Sequence, residues 1–137
     1  TDRVIDIQIL LFYLIYLLPY SQNKVTSIFK MSKIKWIEPN DNNDINYNDD
    51  LIVIFKHSYR CIISRIVLKK FEFDYKGFSN IKFYLIDVIK NKKLSNELSS
   101  YFNINHESPQ LMVVNNGKLV HNSSHSNISF KNIKNNF

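Results

Sequence analysis

Two short apolar segments, separated by a segment with helical periodicity, constrain the fold of this chain most strongly. Residues 51–55 form a continuous, largely β-branched run, which is typical of a strand buried on both faces. Residues 81–88, with the sequence IKFYLIDV, have the same character and predict a second buried strand. Between them, apolar residues recur with helical spacing from Cys61 onward. This order predicts a βαβ unit with two parallel strands and a right-handed crossover.

The predicted helix after Cys61 should bury one face against the sheet and leave the other in water. We expect the solvent-facing side to contain Arg65, Lys69 and Lys70. Five residues share the predicted apolar face, namely Ile62, Ile63, Ile66, Val67 and Phe71.

The pattern after residue 90 adds a second helix and a hairpin. Asn91 is suited to a helix N-cap, and the apolar face of the following helix should contain Leu94, Leu98, Tyr101 and Phe102. Residues 111–114 predict a third strand, and Asn116-Gly117 is a hairpin signal that makes 118–121 its antiparallel partner. The tail, with Ile128, Phe130 and Ile133, predicts a short final helix. The predicted fold class is α/β, with a central mixed β-sheet flanked by helices.

The length and composition suit one domain, which we place at residues 31–137. The 137 residues include 45% hydrophobic residues, which excludes intrinsic disorder for most of the chain. A disulfide scaffold is excluded because Cys61 is the single cysteine.

Residues 1–30 are predicted to be an apolar N-terminal extension. Their longest apolar run, residues 9–18, is too short to cross a bilayer, which requires about 20 residues. Three interpretations stay open: upstream sequence before a start at Met31, a weak membrane or interface anchor, and a signal peptide.

The formal net charge of +6 would ordinarily suggest a nucleic-acid partner. Here the lysines accompany 19 Ile and 18 Asn and no Ala, a composition typical of A/T-rich coding sequence. The lysines are also scattered, with adjacent pairs only at 69–70 and 92–93. We therefore expect no nucleic-acid partner.

Two patterns resemble metal sites, and neither fits one. Residues 38–50 are rich in Asn and Asp, but they lack the Gly and Glu of a calcium loop in register, so we predict a solvated loop. The histidines 57, 106, 121 and 125 include zinc-like spacings, but 121–125 falls across a predicted strand end and there is no second cysteine. We predict no metal site.

Cys61 is the most informative residue for function. It follows a buried strand and begins a helix, the position where α/β folds place their sites. The unpaired N–H groups and dipole of a helix N-terminus stabilise a thiolate, and Arg60 adds a positive charge. Ser64 occupies the second position of a C-x-x-S motif, where its hydroxyl could donate a hydrogen bond to the thiolate but could not form a disulfide. A reactive thiol in this motif must be resolved by an external thiol.

Pro109 directly precedes the third predicted strand. It lacks the N–H for a ladder bond and holds Ser108 extended. The spacing alone favours an ordinary trans proline at a strand start. A cis Ser108–Pro109 bond would instead expose the backbone groups of Ser108 at the strand edge.

Several segments together resemble the monothiol bacilliredoxins of the thioredoxin superfamily. The resemblance spans about residues 51–128 and depends on FKHS-x-x-C-x-x-S combined with the HESPQ box about forty-five residues later. The segments are 51–64 (LIVIFKHSYRCIIS), 83–88 (FYLIDV), 94–102 (LSNELSSYF), 104–111 (INHESPQL) and 117–126 (GKLVHNSSHS).

The resemblance implies a thioredoxin-like fold with a variable N-terminal extension, and a cis-proline at Pro109 that faces the active thiol. It implies that Cys61 is the nucleophile and that Ser64 replaces the second cysteine. The implied activity is thiol–disulfide exchange that removes bacillithiol from protein mixed disulfides in the bacterial cytoplasm. Bacillithiol would be a co-substrate, with no tightly bound cofactor, and the partners would be bacillithiolated client proteins and a low-molecular-weight thiol.

For substrate binding, we expect Arg60 and His57 to supply positive charge to the carboxylates of the malate moiety of bacillithiol. The backbone at Ser108 should align the incoming disulfide by strand-like hydrogen bonds. The chain departs from the usual family pattern on both sides of the cysteine, with Arg60 in place of Thr and Ile62 in place of Pro. These departures bear on redox potential and thiol selectivity more than on the fold.

Two other functions stay open from the sequence. The first is a thioredoxin-like binding module that docks a partner without exchanging thiols. The second is an iron–sulfur carrier resembling the monothiol glutaredoxins, against which Ile62 argues because those proteins typically have Gly after the cysteine.

Overall fold

The structure is a computed structural model that describes residues 34–78 and 80–136. Its centre is a five-stranded sheet with the strand order β1-β3-β2-β4-β5. The strands are β1 (Trp36–Ile37), β2 (Ile52–His57), β3 (Lys82–Asp87), β4 (Gln110–Asn115) and β5 (Lys118–Ser124). In the described part, the α-helices are α1 (Ile62–Asp74), α2 (Lys92–Tyr101) and α3 (Phe130–Ile133), and short 3₁₀ turns lie at Asn42–Asp44, His125–Asn127 and Lys134–Asn136.

The predicted βαβ unit is confirmed. β2 and β3 are parallel, with Ile52 opposite Lys82 and His57 opposite Asp87. Every residue of β2 is buried, because strands lie on both sides of it and helices cover both faces. The continuous apolar run that predicted this strand is the sequence consequence of that burial.

The predicted hairpin is also confirmed. β4 runs antiparallel to both β2 and β5, which makes the sheet mixed. Asn116 and Gly117 both have positive φ angles, 46° and 76°, as the tight turn requires. β5 extends three residues beyond the predicted 118–121 segment because its pairing with β4 continues, through an irregularity at Val113/Val114, as far as Ser124.

Alternate residues of β2 divide the core into two clusters, one on each face of the sheet. Val53 and Phe55 pack in the cluster that contains residues of α1 and α3. Ile52 and Ile54 pack in the cluster that contains Leu94 of α2. This period-two alternation means that neighbouring β2 residues contact different helices.

The predicted apolar face of α1 is wrong in its first turn. Ile62 and Ile63 are 58% and 63% exposed, whereas Ser64, Leu68 and Phe71 form the buried stripe. The polar Ser64 takes the inward position, where its hydroxyl is hydrogen-bonded to His57, the last residue of β2, and to the Ser58 N–H. Arg65, Lys69 and Lys70 are exposed, as predicted.

The predicted apolar face of α2 is confirmed for Leu94 and Leu98, which are buried, and for Phe102, which packs partly buried against the same cluster. The prediction is wrong for Tyr101, which is 55% exposed. Tyr101 lies at the end of α2, where its ring stacks on Tyr47 at a centroid distance of 4.9 Å.

β1 has no counterpart in the sequence-based prediction, because two residues are too few to show a periodicity. It pairs with the outer edge of β3, with Trp36 opposite Phe83. The Trp36 ring contacts Phe55, Phe71 and Phe83 at centroid distances of 5.7–6.3 Å, which anchors the edge strand to the core.

The apolar run at 9–18, and the N-terminal extension of which it is part, lie outside the described residues. Across residues 34–78 and 80–136, no helix has the length and hydropathy needed to cross a membrane.

Candidate active site

Cys61 lies at the amino end of α1, directly after the carboxyl end of β2. It is the N-cap residue of the helix, and its side chain is partly exposed. Its N–H donates to the Ser58 carbonyl at 3.1 Å, and its carbonyl accepts the Arg65 N–H at 3.1 Å. The local backbone therefore presents the thiol at the positive end of the helix dipole, as the sequence predicts.

Pro109 lies at the same edge of the sheet. β4 is antiparallel to β2, and Lys56 pairs with Gln110, so Pro109 precedes β4 beside the end of β2. The Ser108–Pro109 peptide bond is cis, which confirms the expectation drawn from the family resemblance rather than the one drawn from spacing. The Pro109 carbonyl accepts the His125 N–H at 3.1 Å, which connects this point to the end of β5.

Ser64 faces the interior and is fully buried. Its Oγ accepts the N–H of Ser58 at 3.1 Å and lies 2.7 Å from His57 Nδ1. Among the described residues these are the hydrogen-bond partners of the hydroxyl, so Ser64 connects α1 to β2. The expected donation from Ser64 to the thiolate is absent from this network of described contacts.

His57 is fully buried in the last position of β2. Burial lowers its pKa below the ordinary value, against the attraction of Asp87, so the ring is neutral at pH 7. The Tyr59 ring packs edge-on against it at a centroid distance of 4.4 Å. This geometry argues against the expected role of His57 as a cationic contact for a carboxylate, and it makes His57 the partner that fixes Ser64.

Arg60 and Ser108 are less buried than His57. Arg60 is exposed in the turn that leads to Cys61, where its guanidinium can meet a dissolved anion. Ser108 is half-buried, and its Oγ is enclosed with no hydrogen-bond partner among the described residues. Because this hydroxyl is closed to solvent, the expected substrate contact of Ser108 depends on its backbone groups.

Three large apolar residues close to Cys61 in the chain are exposed. Tyr59, Ile62 and Ile63 are 49%, 58% and 63% exposed, and they flank Cys61 in the chain. We call these three residues the apolar rim. Large apolar side chains that remain exposed around a site commonly mark a docking surface for a macromolecule.

A polar cluster around a buried lysine, next to the site, was missed by the sequence reasoning. Lys56 is fully buried, and its Nζ donates to the Ser95 carbonyl and to Ser99 Oγ, both at 2.7 Å. His106 Nδ1 lies 3.4 Å from the same nitrogen. Burial lowers the pKa of Lys56 from 10.5 to about 8. The signal in the sequence is a lysine that continues a buried apolar strand, IVIFK.

The other histidines have separate partners. His121 Nε2 lies 3.0 Å from Ser123 Oγ, and His125 Nε2 lies 2.9 Å from Glu107 Oε2. Within the part of the chain that the structure describes, no group of three or more His, Cys, Asp or Glu residues is arranged to hold a metal ion.

Comparison with known proteins decides the family. The model of the monothiol bacilliredoxin BrxC family matches residues 33–133. This chain belongs to that family. The matched range contains the whole C-x-x-S motif, the cis-proline and all five strands, and membership indicates a thiol redox role.

Solved structures place the family member in the thioredoxin fold. A protein with a thioredoxin fold, to which oxidoreductase activity is ascribed, matches with a TM-score of 0.64 and 23% identity, over 73% of this chain and 91% of that one. Thioredoxin from Trypanosoma brucei brucei matches with a TM-score of 0.55 and 17% identity, over 72% and 86%. Mitochondrial thioredoxin 3 from Saccharomyces cerevisiae matches with a TM-score of 0.55 and 13% identity, over 66% and 83%. These likenesses establish the fold.

Proposed function

We propose that this chain removes bacillithiol from protein mixed disulfides by monothiol exchange at Cys61. The observation that supports this most directly is the placement of Cys61 at the amino end of α1, at the sheet edge that also holds cis-Pro109. Ser64 occupies the second position of the motif and is buried. Because the sequence contains one cysteine, the reaction must proceed through a mixed disulfide with an external thiol.

The exchange has two steps. The Cys61 thiolate attacks the bacillithiol sulfur of the client's mixed disulfide, a new Cys61–bacillithiol disulfide forms, and the client leaves as a thiolate that takes a proton from water. A second thiolate of low molecular weight then attacks the bacillithiol sulfur on Cys61. The products are a low-molecular-weight disulfide and the regenerated Cys61 thiolate. Bacillithiol is a co-substrate in this scheme.

The described contacts suggest a role for each neighbouring residue. Ser64 and His57 hold the first turn of α1 and thereby the position of the Cys61 thiol. The exposed Arg60 is suited to pair with the carboxylates of bacillithiol. Ser108, beside Pro109, would align the disulfide through backbone hydrogen bonds of the kind that strands make.

The apolar rim favours a protein as the carrier of the disulfide. A small anionic thiol gains little from three exposed apolar side chains, whereas a client surface can bury them at roughly 25 cal/mol per Å². A reducing compartment such as the bacterial cytoplasm is the setting in which such a single reactive thiol would be maintained.

The test is direct adduct formation. The reduced full chain is incubated at pH 7 with bacillithiol disulfide and, separately, with glutathione disulfide, and intact mass is followed over time. We expect fast bacillithiol labelling of the wild type, well ahead of glutathione, and no labelling of Cys61→Ser. A model client protein that carries one bacillithiol adduct should lose this adduct to the wild-type chain at a rate that matches the labelling of Cys61 by bacillithiol disulfide.

Two outcomes would contradict the proposal. Labelling by both disulfides at the rate of a free cysteine would indicate an unactivated thiol and favour a binding module. Undiminished release of bacillithiol from the client by Cys61→Ser would show that the reaction does not depend on this cysteine.

A further inference from the structure

We infer that Lys56 is a positioning residue, which acts through His106 to hold the loop carrying Ser108 and Pro109 against the end of β2. This inference deepens the proposed function, because it rests on that loop aligning the disulfide for Cys61. Lys56 itself does not touch a reacting atom in this scheme.

The contacts of Lys56 connect three elements. The lysine is the fifth residue of β2, and its side chain points to the face covered by α2. Its Nζ lies 2.7 Å from both the Ser95 carbonyl and Ser99 Oγ on α2, and 3.4 Å from His106 Nδ1 in the α2–β4 loop. Among the described residues, no carboxylate lies within ion-pair distance of this nitrogen.

The donors of Lys56 fix the tautomer of His106. An ammonium group has three N–H donors and no acceptor, so His106 Nδ1 must accept from it. Ser95 Oγ lies 3.2 Å from the same ring nitrogen. Burial and the neighbouring Lys56 charge both lower the pKa of His106, which favours the neutral ring. A neutral ring that accepts at Nδ1 carries its proton on Nε2.

The loop after His106 contains internal hydrogen bonds, so a contact that fixes His106 also restrains Pro109. The Gln110 side chain is buried, and its Oε1 accepts the Glu107 N–H at 3.2 Å while its Nε2 donates to the Asn105 carbonyl at 2.9 Å. Asn105 and Glu107 flank His106 in sequence. Lys56 therefore connects β2 to a loop whose internal hydrogen bonds span Ser108 and Pro109.

The energetics favour a functional explanation for this lysine. A buried ammonium group without a carboxylate is expensive, and an apolar side chain of similar length would fill the same space at lower cost. Residues that break a packing rule in this way are concentrated at functional sites. Lys56 is adjacent to His57, so consecutive residues of one strand hold the two halves of the site from opposite faces.

The experiment separates thiol reactivity from disulfide alignment in the full chain. Lys56→Met, His106→Ala and the double variant are compared with the wild type, and Lys118→Met serves as a control at an exposed lysine. Alkylation of Cys61 by iodoacetamide requires no alignment, and we expect it to stay within about twofold in every variant. Exchange with bacillithiol disulfide should fall about tenfold in each single variant, and no further in the double variant, because the residues act in series.

Two results would overturn the inference. One is multiplication of the two losses in the double variant, which would show that Lys56 does not act through His106. The other is an equal loss of alkylation and exchange, which would show that Lys56 affects the thiol itself.

A spectroscopic measurement covers the case in which Lys56→Met does not fold or the wild type does not exchange. The ¹⁵N shifts of the His106 ring at pH 7 should report a bare Nδ1 and a protonated Nε2 in the wild type. Absence of Cys61-dependent exchange in the wild type would contradict the proposed function, but it would leave the ¹⁵N signature of His106 intact. A protonated Nδ1 in the wild type would contradict the role of Lys56 whatever the exchange rate.

Discussion

His57 Nδ1 lies 2.7 Å from Ser64 Oγ, and this contact joins the last residue of β2 to the first turn of α1. The Ser58 N–H donates to the same oxygen at 3.1 Å. Cys61 lies within the segment that these bonds close. The described contacts of the serine in the C-x-x-S motif therefore favour the proposed role for it in positioning the thiol.

Replacing Ser64 with Ala should destabilise the fold and slow exchange. The change leaves the buried Ser58 N–H and the His57 ring without a partner, at an expected cost of about 1–3 kcal/mol in the free energy of unfolding. Urea unfolding measures that loss, and Ser100→Ala, at an exposed position on α2, is the control. A Ser64→Ala protein as stable as the Ser100→Ala protein would contradict the bonding role of Ser64.

Because Lys56 is buried, its contribution to the free energy of unfolding should become more favourable as the pH rises. Burial lowers its pKa from 10.5 to about 8, so between these values the unfolded chain binds more protons than the folded one. The penalty of the charged lysine is complete below pH 8 and is relieved as the pH approaches 10.5. Relative to Lys56→Met, the wild type should gain about 3 kcal/mol across this window.

Urea unfolding of both proteins at intervals from pH 7 to pH 10.5 measures the difference between their free energies of unfolding. Both proteins share the titrations of the tyrosines and the surface lysines, so these titrations cancel in the difference. We expect Lys56→Met to be the more stable protein at pH 7, and the gap to narrow as the pH rises. A gap that stays constant with pH would show that the lysine is not desolvated in the folded chain.

The exposed Arg60 should assist anionic substrates in a salt-dependent manner. Arg60→Ala is expected to slow the reaction with bacillithiol disulfide by about threefold at low ionic strength, with the difference closing near 1 M salt as the charges are screened. Arg65→Ala, which removes an exposed arginine one turn along α1, is the control. Stopped-flow rates at several salt concentrations test this, and equal losses in both variants would indicate a general charge effect.

The apolar rim should distinguish protein substrates from small ones. Ile63 is 63% exposed, so Ile63→Ser should leave stability nearly unchanged. It should raise the KM for a bacillithiolated client protein about fivefold and leave the rate with bacillithiol disulfide unchanged. Val120→Ser, at a 45% exposed position on β5, is the control. A loss shared by both substrates would assign Ile63 to the thiol rather than to client docking.

Most of the fold could be predicted because local patterns specify it. The buried runs around residues 51–55 and 81–88, the helical spacing between them and the Asn116-Gly117 turn each impose one geometry on the backbone. The two-residue β1 was missed because its formation depends on Trp36 packing against the core, which no short window of sequence shows.

The candidate site also combines features that the sequence predicts with features that depend on tertiary packing. The position of Cys61 after a strand and before a helix follows from the chain order, and Ser64 follows from the C-x-x-S spacing. The cis bond before Pro109 follows from the family resemblance. The burial of His57, the inward direction of Ser64 and the exposure of Ile62 and Ile63 depend on how α1 is rotated against the sheet. That rotation is decided by long-range contacts.

The sequence by itself determined the order of the strands and helices from β2 onward, the single thiol and its C-x-x-S motif. Only the tertiary structure decided what surrounds that thiol. Consecutive side chains of a strand point to opposite faces, so the neighbours Lys56 and His57 contact α2 and α1 respectively. Their partners lie 39 and 7 residues away in the chain, and packing of the helices on the sheet brings them into hydrogen-bond distance.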